Sequence, residues 1–110
     1  MELAGQLDVD VTEDSVAFAF TVRNEGDERA ELTFADAQKA DFAVLDGDDE
    51  VWRFSDGMMF AQMLQTESIA PGGVVTYDGT WESPRPGDYD VVATLVANNA
   101  SVEARDSFSV

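Results

Sequence analysis

Apolar and polar residues alternate along most of this sequence, and no long window has the period of an amphipathic helix. Near the start, for example, Leu7, Val9 and Val11 are separated by Asp8 and Asp10. Successive side chains of a strand point to opposite faces, so this spacing places one face in a core and the other in water. The pattern therefore predicts an all-β protein built from half-buried strands.

Turn-forming residues interrupt the alternation at short intervals. They include Asp46-Gly47, which lies between two apolar runs, and Pro71-Gly72-Gly73. The spacing predicts about eight or nine short strands and favours an antiparallel two-sheet sandwich of the immunoglobulin-like type, with a small closed barrel as the alternative. Because no internal repeat or linker is seen, residues 1–110 are expected to form one domain.

The alternating positions of separate strands also predict the core. Its expected members are Phe18, Phe20, Phe34, Trp52, Trp81, Val91 and Leu95. At the start of a late strand, Pro86-Gly87-Asp88-Tyr89 is similar to the tyrosine corner of sandwich proteins, in which a Tyr hydroxyl bonds to the backbone a few residues upstream. The alternative is a Tyr that only fills the edge of the core.

The chain has no cysteine and no histidine. This excludes a disulfide framework, the usual zinc and haem sites, a Cys or Ser-His nucleophile and an imidazole general base. Carboxylates are so frequent that no pair of them is informative about acid–base catalysis. We therefore expect a protein that is not an enzyme and that uses no metal and no cofactor.

The 23 acidic residues outnumber the 6 basic ones and give a formal net charge of −17. Such a charge repels phosphate backbones and anionic headgroups, so we expect no nucleic-acid partner and no membrane partner. The acids are spread along the chain, as in proteins of halophiles, whose concentrated cytoplasmic salt screens the repulsion. The N-terminal residues also lack the apolar run of an export signal. A halophilic cytoplasmic monomer is the expectation, and an acidic or calcium-rich extracellular module is the alternative.

Three polar motifs have simpler explanations than a functional site. The run Asp46-Gly47-Asp48-Asp49-Glu50 looks like a calcium loop, but it lacks the EF-hand order and lies between two strands, so a solvated hairpin is favoured. Lys39, the only lysine, could in principle partner a serine, yet it lies in a polar connection where a solvated charge is expected. The sequon Asn99-Ala100-Ser101 is explained by a hairpin turn.

One segment, from Gly57 to Tyr77, departs from this acidic composition. It contains a single charged side chain, Glu67, although 26% of the whole chain is charged. Three of the four methionines lie there, namely Met58, Met59 and Met63. Methionine makes adaptable apolar contacts at binding surfaces, so a partner-facing surface is one interpretation. The other is a core segment in which Phe60 and Leu64, spaced as one helical turn, cap the sandwich.

Several motifs follow one another in a definite order along the chain. They are Val22-Arg23-Asn24, Asp46-Gly47, Val51-Trp52-Arg53-Phe54-Ser55, Phe60-Ala61-Gln62, Pro71-Gly72-Gly73 and Gly87-Asp88-Tyr89. In order and spacing they resemble the BsuPI family of intracellular proteinase inhibitors, over roughly residues 16–97. The resemblance implies an all-β sandwich and, for the founding members of the family, inhibition of an intracellular subtilisin-like serine proteinase.

Within the Val-Trp-Arg-Phe-Ser motif, Trp52 and Phe54 occupy alternate positions and are expected to share one sheet face. Arg53 is then left on the other face, where ion pairs with neighbouring acids are expected to add little stability. Trp52 and Trp81 are both expected to have structural roles.

No reactive-site residue comes with the resemblance, so the candidate site is the charge-poor loop, defined here as residues Gly57–Gln65. The candidate partner-binding residues are Met58, Met59, Phe60 and Met63. Without a disulfide the loop must be held by packing, and Trp52 and Phe54 before it and Pro71 after it are the candidate supports. We expect an inhibitor of a subtilisin-like serine proteinase that presents this loop, and the alternative is a non-inhibitory immunoglobulin-like interaction or accessory domain.

Overall fold

The computed structural model describes all 110 residues and contains nine β-strands and no helix. The strands are β1 (Leu3–Val11), β2 (Ser15–Asn24), β3 (Ala30–Phe34), β4 (Ala40–Asp46), β5 (Asp49–Arg53), β6 (Gln65–Ile69), β7 (Val74–Glu82), β8 (Asp88–Leu95) and β9 (Glu103–Ser109). The all-β prediction and the expected number of strands are confirmed. The structure has no long apolar helix of the kind that spans a bilayer.

Hydrogen bonds join the strands into three antiparallel sheets, ordered β1-β2-β7, β3-β6 and β5-β4-β8-β9. The two larger sheets face each other, since the ring of Phe18 in β2 lies 5.6 Å from that of Phe42 in β4. Trp81 in β7 likewise lies 5.1 Å from Tyr89 in β8. The fold is thus sandwich-like, and its sheets are open rather than closed into a barrel. The number of sheets is three rather than the expected two, because β3 and β6 pair only with each other. The immunoglobulin-like type stays a prediction.

The core contains most of the positions that alternation predicts. Six of the seven expected core residues are buried, and these are Phe18, Phe20, Phe34, Trp81, Val91 and Leu95. Trp52 is only partly buried and packs against the core from its edge, where its ring stacks on Trp81 at 6.1 Å. The absence of a side chain at Gly79 makes room for aromatic rings, because a Cβ there would lie 2.8 Å from the Phe42 ring and 3.0 Å from that of Phe54.

Tyr89 forms the hydrogen bond that the tyrosine-corner interpretation requires. Its hydroxyl donates to the carbonyl oxygen of Arg85 at 2.7 Å. The ring is buried, so the side chain joins the β7–β8 connection to the core.

Two asparagine side chains join separate parts of the fold. Buried Asn24 donates from Nδ2 to the carbonyl oxygens of Glu28, at 2.7 Å, and Ile69, at 2.9 Å, which ties the end of β2 to the end of β6. Asn99 of the sequon donates to the carbonyl of Glu31 at 2.8 Å and accepts from the amide of Thr33 at 3.1 Å. The Asn99 amide therefore pairs with an edge of β3.

Candidate functional site

The charge-poor loop fills most of the connection between β5 and β6, and Gln65 is already the first residue of β6. Met59 is 99% exposed, Met63 is 62% exposed and Met58 is 47% exposed, whereas Phe60 is half-buried. No helix forms here, and Leu64 is 74% exposed, so a helical cap made by Phe60 and Leu64 does not exist. The structure therefore brings three methionines to the surface of one loop.

Phe60 turns toward the body of the protein rather than away from it. Together with Phe42, Phe54 and Tyr77 it lines a groove of about 360 Å³ between the loop and the sandwich. An aromatic ring in this position connects the middle of the loop to the sheets beneath it.

Backbone hydrogen bonds fasten the loop on both sides of its most exposed part. On the first side, the amide of Met58 donates to the carbonyl of Ser55 at 3.2 Å. On the second side, the carbonyl of Ala61 accepts from the amide of Ala37 at 2.9 Å. Between these points the amides of Met59 and Phe60 make no hydrogen bond within the protein, so they are available to a partner's main chain.

A β-bulge decides which side chains of β5 face the core. In the β4–β5 hairpin Leu45 pairs with Glu50, whereas Val44 pairs with Trp52 and Ala43 with Arg53, which leaves Val51 as the extra residue. Without the bulge every later side chain of β5 would point to the opposite face. The bulge therefore places Trp52 beside buried Val44 and Arg53 on the outer face, as the sequence analysis expects.

Asp41, on the outer face of β4, bonds to two residues that lie just before the loop. Its carboxylate accepts from the amide of Ser55 at 3.1 Å, from the hydroxyl of Ser55 at 2.8 Å and from the guanidinium of Arg53 at 2.8 Å. It also accepts from the amide of Phe42 at 2.9 Å. Asp41 is buried, and a buried carboxylate is stable only when it is paired and hydrogen-bonded in this way. We call Asp41, Arg53 and Ser55 the loop clamp.

Arg53 also bonds to Glu50, so the expected ion-pair centre is present. The hydrogen bonds that Arg53 donates to Glu50 and Asp41 raise the pKa of Arg53 above its already high ordinary range. The expected solvated surface describes Glu50, whereas Asp41 is buried and also accepts from the amide of Ser55. The small contribution of these ion pairs to stability stays a prediction.

The candidate supports lie in different places. Trp52 and Phe54 lie directly before the loop, and the ring of Phe54 packs edge-on against Phe42 at 5.7 Å. Pro71 is exposed in the turn between β6 and β7, at the end of β6 that is remote from the loop. The structure thus brings Trp52 and Phe54 to the loop but not Pro71, whose turn bonds instead to the backbone of Asn24.

Asp41 and Ala37 are not among the residues that the sequence singles out, and Ser55 appears there only as the last residue of the Val-Trp-Arg-Phe-Ser motif. A signal for Asp41 exists, since it is the one acidic residue inside the otherwise apolar run Ala40–Val44. The hydrogen bond between Ala37 and Ala61 leaves no pattern in the sequence, because it joins the backbone of the β3–β4 connection to that of the β5–β6 connection.

The other motifs take structural positions. Asp46 and Asp49 pair across the hairpin turn, where Gly47 has a φ of 62°, and no three acidic side chains converge as a metal site would require. Lys39 is not a free solvated charge, because its ammonium group lies 3.0 Å from the carboxylate of Glu67.

These features define a β-sandwich protein that displays an apolar loop fastened at both ends, and the comparison with known families agrees with that class. A family model described as BsuPI, intracellular proteinase inhibitor, matches residues 3–100. The chain belongs to the BsuPI intracellular proteinase inhibitor family, which is a family of inhibitors and not of enzymes. The resemblance seen in the sequence motifs is thereby confirmed, and a proteinase is the partner that the family implies.

Solved structures with a similar fold share little sequence with this chain. The sporulation control protein Spo0M from Bacillus subtilis has a TM-score of 0.55 at 16% identity, with 98% of this chain and 49% of that chain covered. A beta-glucosidase from Kluyveromyces marxianus has a TM-score of 0.53 at 16% identity, with 99% of this chain and 14% of that chain covered. The chain thus spans half or less of these proteins, and the likeness concerns the fold alone. No curated protein matches the sequence.

Proposed function

We propose that this protein inhibits a subtilisin-like serine proteinase by presenting the charge-poor loop to the active site of that proteinase. The observation that carries the proposal is the exposure of Met58, Met59 and Met63 on a loop that is fastened on both sides of Met59. Membership of a proteinase inhibitor family supports the general activity.

The geometry suits the way in which an extended chain is recognised. A cleft that binds a substrate as a strand needs free main-chain groups and side chains for its pockets. The unpaired amides of Met59 and Phe60 supply the first requirement, and the exposed methionines supply the second. A loop already fastened by the loop clamp and by Ala37 loses less conformational entropy on binding than a free peptide.

Charge distribution also favours this surface. Residues Gly57–Thr66 carry no charge, whereas the whole chain has a net charge of −17. Much of the remaining surface would bring a partner against carboxylates that have no cationic partner and are costly to desolvate. The loop is therefore a part of the surface where close contact has a small electrostatic cost.

The test replaces Met58 and Met59 together by Asp, as M58D/M59D, and measures the inhibition constant against a subtilisin-like proteinase in molar potassium chloride. Two carboxylates cannot enter apolar pockets without losing hydration, so the inhibition constant should rise by a factor of about 30 or more, which corresponds to the loss of a binding hot spot. The matched control is D48N/D49N in the β4–β5 turn, which changes the same number of charges away from the loop and should alter inhibition little.

Both methionines are exposed, so the variant should keep the parent's circular dichroism spectrum and unfolding midpoint. A folded M58D/M59D protein that inhibits as well as the parent would refute the assignment of the loop. A parent that inhibits no subtilisin-like proteinase in molar salt would refute the proposed target class and favour the accessory-domain alternative.

A further inference from the structure

We infer that Met59 is the residue that enters the primary specificity pocket of the target proteinase, and that this pocket is apolar and accepts a long unbranched side chain. The inference rests on the proposed function and adds to it the residue that determines specificity.

Met59 lies between the two points at which the loop is fastened. The residue before it, Met58, donates its amide to Ser55, and Ser55 is in turn held by Asp41. The residue after it, Phe60, is half-buried against the groove, and the next carbonyl, that of Ala61, is bonded to Ala37. Met59 is thus a fully exposed side chain with restrained neighbours on both sides, which is the arrangement that a deep pocket requires.

The other two methionines are less well placed. Met58 is about half covered and belongs to the turn that begins at Ser55. Met63 lies beyond Ala61, and its amide donates to the carbonyl of Ala61 at 2.9 Å, so the chain bends tightly between them. A main chain that lies along an extended cleft at Met59 turns away before it reaches Met63.

The chemistry of Met59 indicates the kind of pocket. Its side chain is unbranched, flexible and apolar, so it can fill a deep pocket that would exclude a β-branched residue. It carries no charge, so a pocket with an acidic residue at its base would leave that charge unpaired and would be disfavoured. Because Met59 is 99% exposed, replacing it removes almost no contact within the inhibitor itself.

The experiment exchanges this side chain for lysine and asks which proteinase is inhibited. The variants M59K, M58K and M63K are compared with the parent against a subtilisin-like proteinase and against trypsin, whose primary pocket has an acidic base. V74K serves as the matched control, since Val74 is an exposed apolar residue of β7 outside the loop and the change in charge is the same. All assays use molar potassium chloride.

For M59K we expect inhibition of the subtilisin-like proteinase to weaken by about 10-fold to 100-fold and inhibition of trypsin to improve by at least about 10-fold. M58K and M63K should weaken inhibition without changing which proteinase is preferred, and V74K should behave as the parent does.

The inference is overturned if the parent inhibits the subtilisin-like proteinase while M59K keeps the parent's preference, or if the preference changes in M58K or M63K instead. That result leaves the proposed function intact. Failure of the parent itself to inhibit overturns the proposed function, so the two failures are distinguishable. Circular dichroism of each variant confirms that the comparison is made between folded proteins.

Discussion

The two tyrosines differ in the hydrogen bonding of their hydroxyl groups. The hydroxyl of Tyr89 is paired with the carbonyl of Arg85, whereas the buried hydroxyl of Tyr77 lies near the carboxylate of Glu67 without a hydrogen bond of good geometry. Burial raises the pKa of Tyr77, and the negative charge of nearby Glu67 raises it further. Tyr77 is therefore held in its neutral form at a site where ionisation is costly.

Replacing each tyrosine by phenylalanine should have opposite consequences. At neutral pH, Y89F should lower the free energy of unfolding by about 0.5–1.5 kcal/mol through the lost hydrogen bond, whereas Y77F should leave it unchanged or slightly higher. Urea unfolding in molar potassium chloride measures both, and Y89F is the matched control because it removes the same hydroxyl group.

The same pair of variants tests the pH dependence. Since the pKa of Tyr77 is higher in the folded state than its unfolded value of about 10, the unfolded chain releases this proton first as the pH rises. The titration of Tyr77 therefore leaves the free energy of unfolding unaffected below about pH 10 and lowers it as the pH rises above that value. Parent stability should fall at alkaline pH more steeply than that of Y77F, and equal slopes would show that Tyr77 titrates normally.

Among the elements, the β4–β5 hairpin does most to position the candidate site. Its bulge turns Trp52 toward the core and Arg53 toward Asp41, and Asp41 then holds the first residues of the loop through Ser55. Strand, hairpin and loop are in this way joined by one carboxylate. The groove beside Phe60 and the bond from Ala37 restrain the same loop from the other side.

We expect D41N to loosen the charge-poor loop while the sandwich stays folded. An amide cannot accept all four of the hydrogen bonds that the carboxylate accepts, and Arg53 loses its buried partner, so the free energy of unfolding should fall by about 1–3 kcal/mol. Amide hydrogen exchange at Ser55 and Met58 should accelerate more than exchange in β2, and the inhibition constant should rise at a temperature where the variant is fully folded.

E50Q is the control for D41N, because Glu50 also bonds to Arg53 but lies on the exposed side and does not contact the loop backbone. Its loop exchange should match that of the parent. Equal exchange rates at Ser55 and Met58 in D41N and the parent would show that Asp41 does not hold the loop.

For the whole molecule, the acidic surface is the dominant property. Only four ion pairs are present, and they involve Lys39, Arg53 and Arg105, so most of the 23 acidic residues have no cationic partner. Repulsion among these carboxylates opposes folding unless dissolved ions screen it. A halophilic origin would supply those ions, and it stays a prediction.

Raising the potassium chloride concentration should therefore stabilise the protein. The screening length falls from about 10 Å at 0.1 M salt to about 3 Å at 1 M, so repulsion across the surface is largely removed. The thermal midpoint at neutral pH should rise over this range. A variant in which several exposed acids are changed to Asn or Gln should show a smaller rise, and a midpoint of the parent that is independent of salt would contradict the argument.

Local patterns were sufficient to predict most of the strands and most of the core. The period of two in Val16–Val22 and the turn at Asp46-Gly47 depend only on neighbouring residues, so both could be seen in the sequence. The strand β6 could not be predicted from the sequence, because its inward positions Gln65 and Glu67 are polar and show no apolar alternation. The family could also be recognised from its ordered motifs, as the match over residues 3–100 confirms.

Tertiary structure alone decided how the candidate site is held. The methionines of the loop could be chosen from composition, but the support from Asp41 depends on a bulge at Val51 and that from Ala37 on the meeting of two loops. Likewise, Pro71 follows the loop in sequence and yet lies at the far end of β6. Alternation is a property of neighbouring residues, whereas these supports depend on strand register and on chain segments that come together only when the sandwich closes.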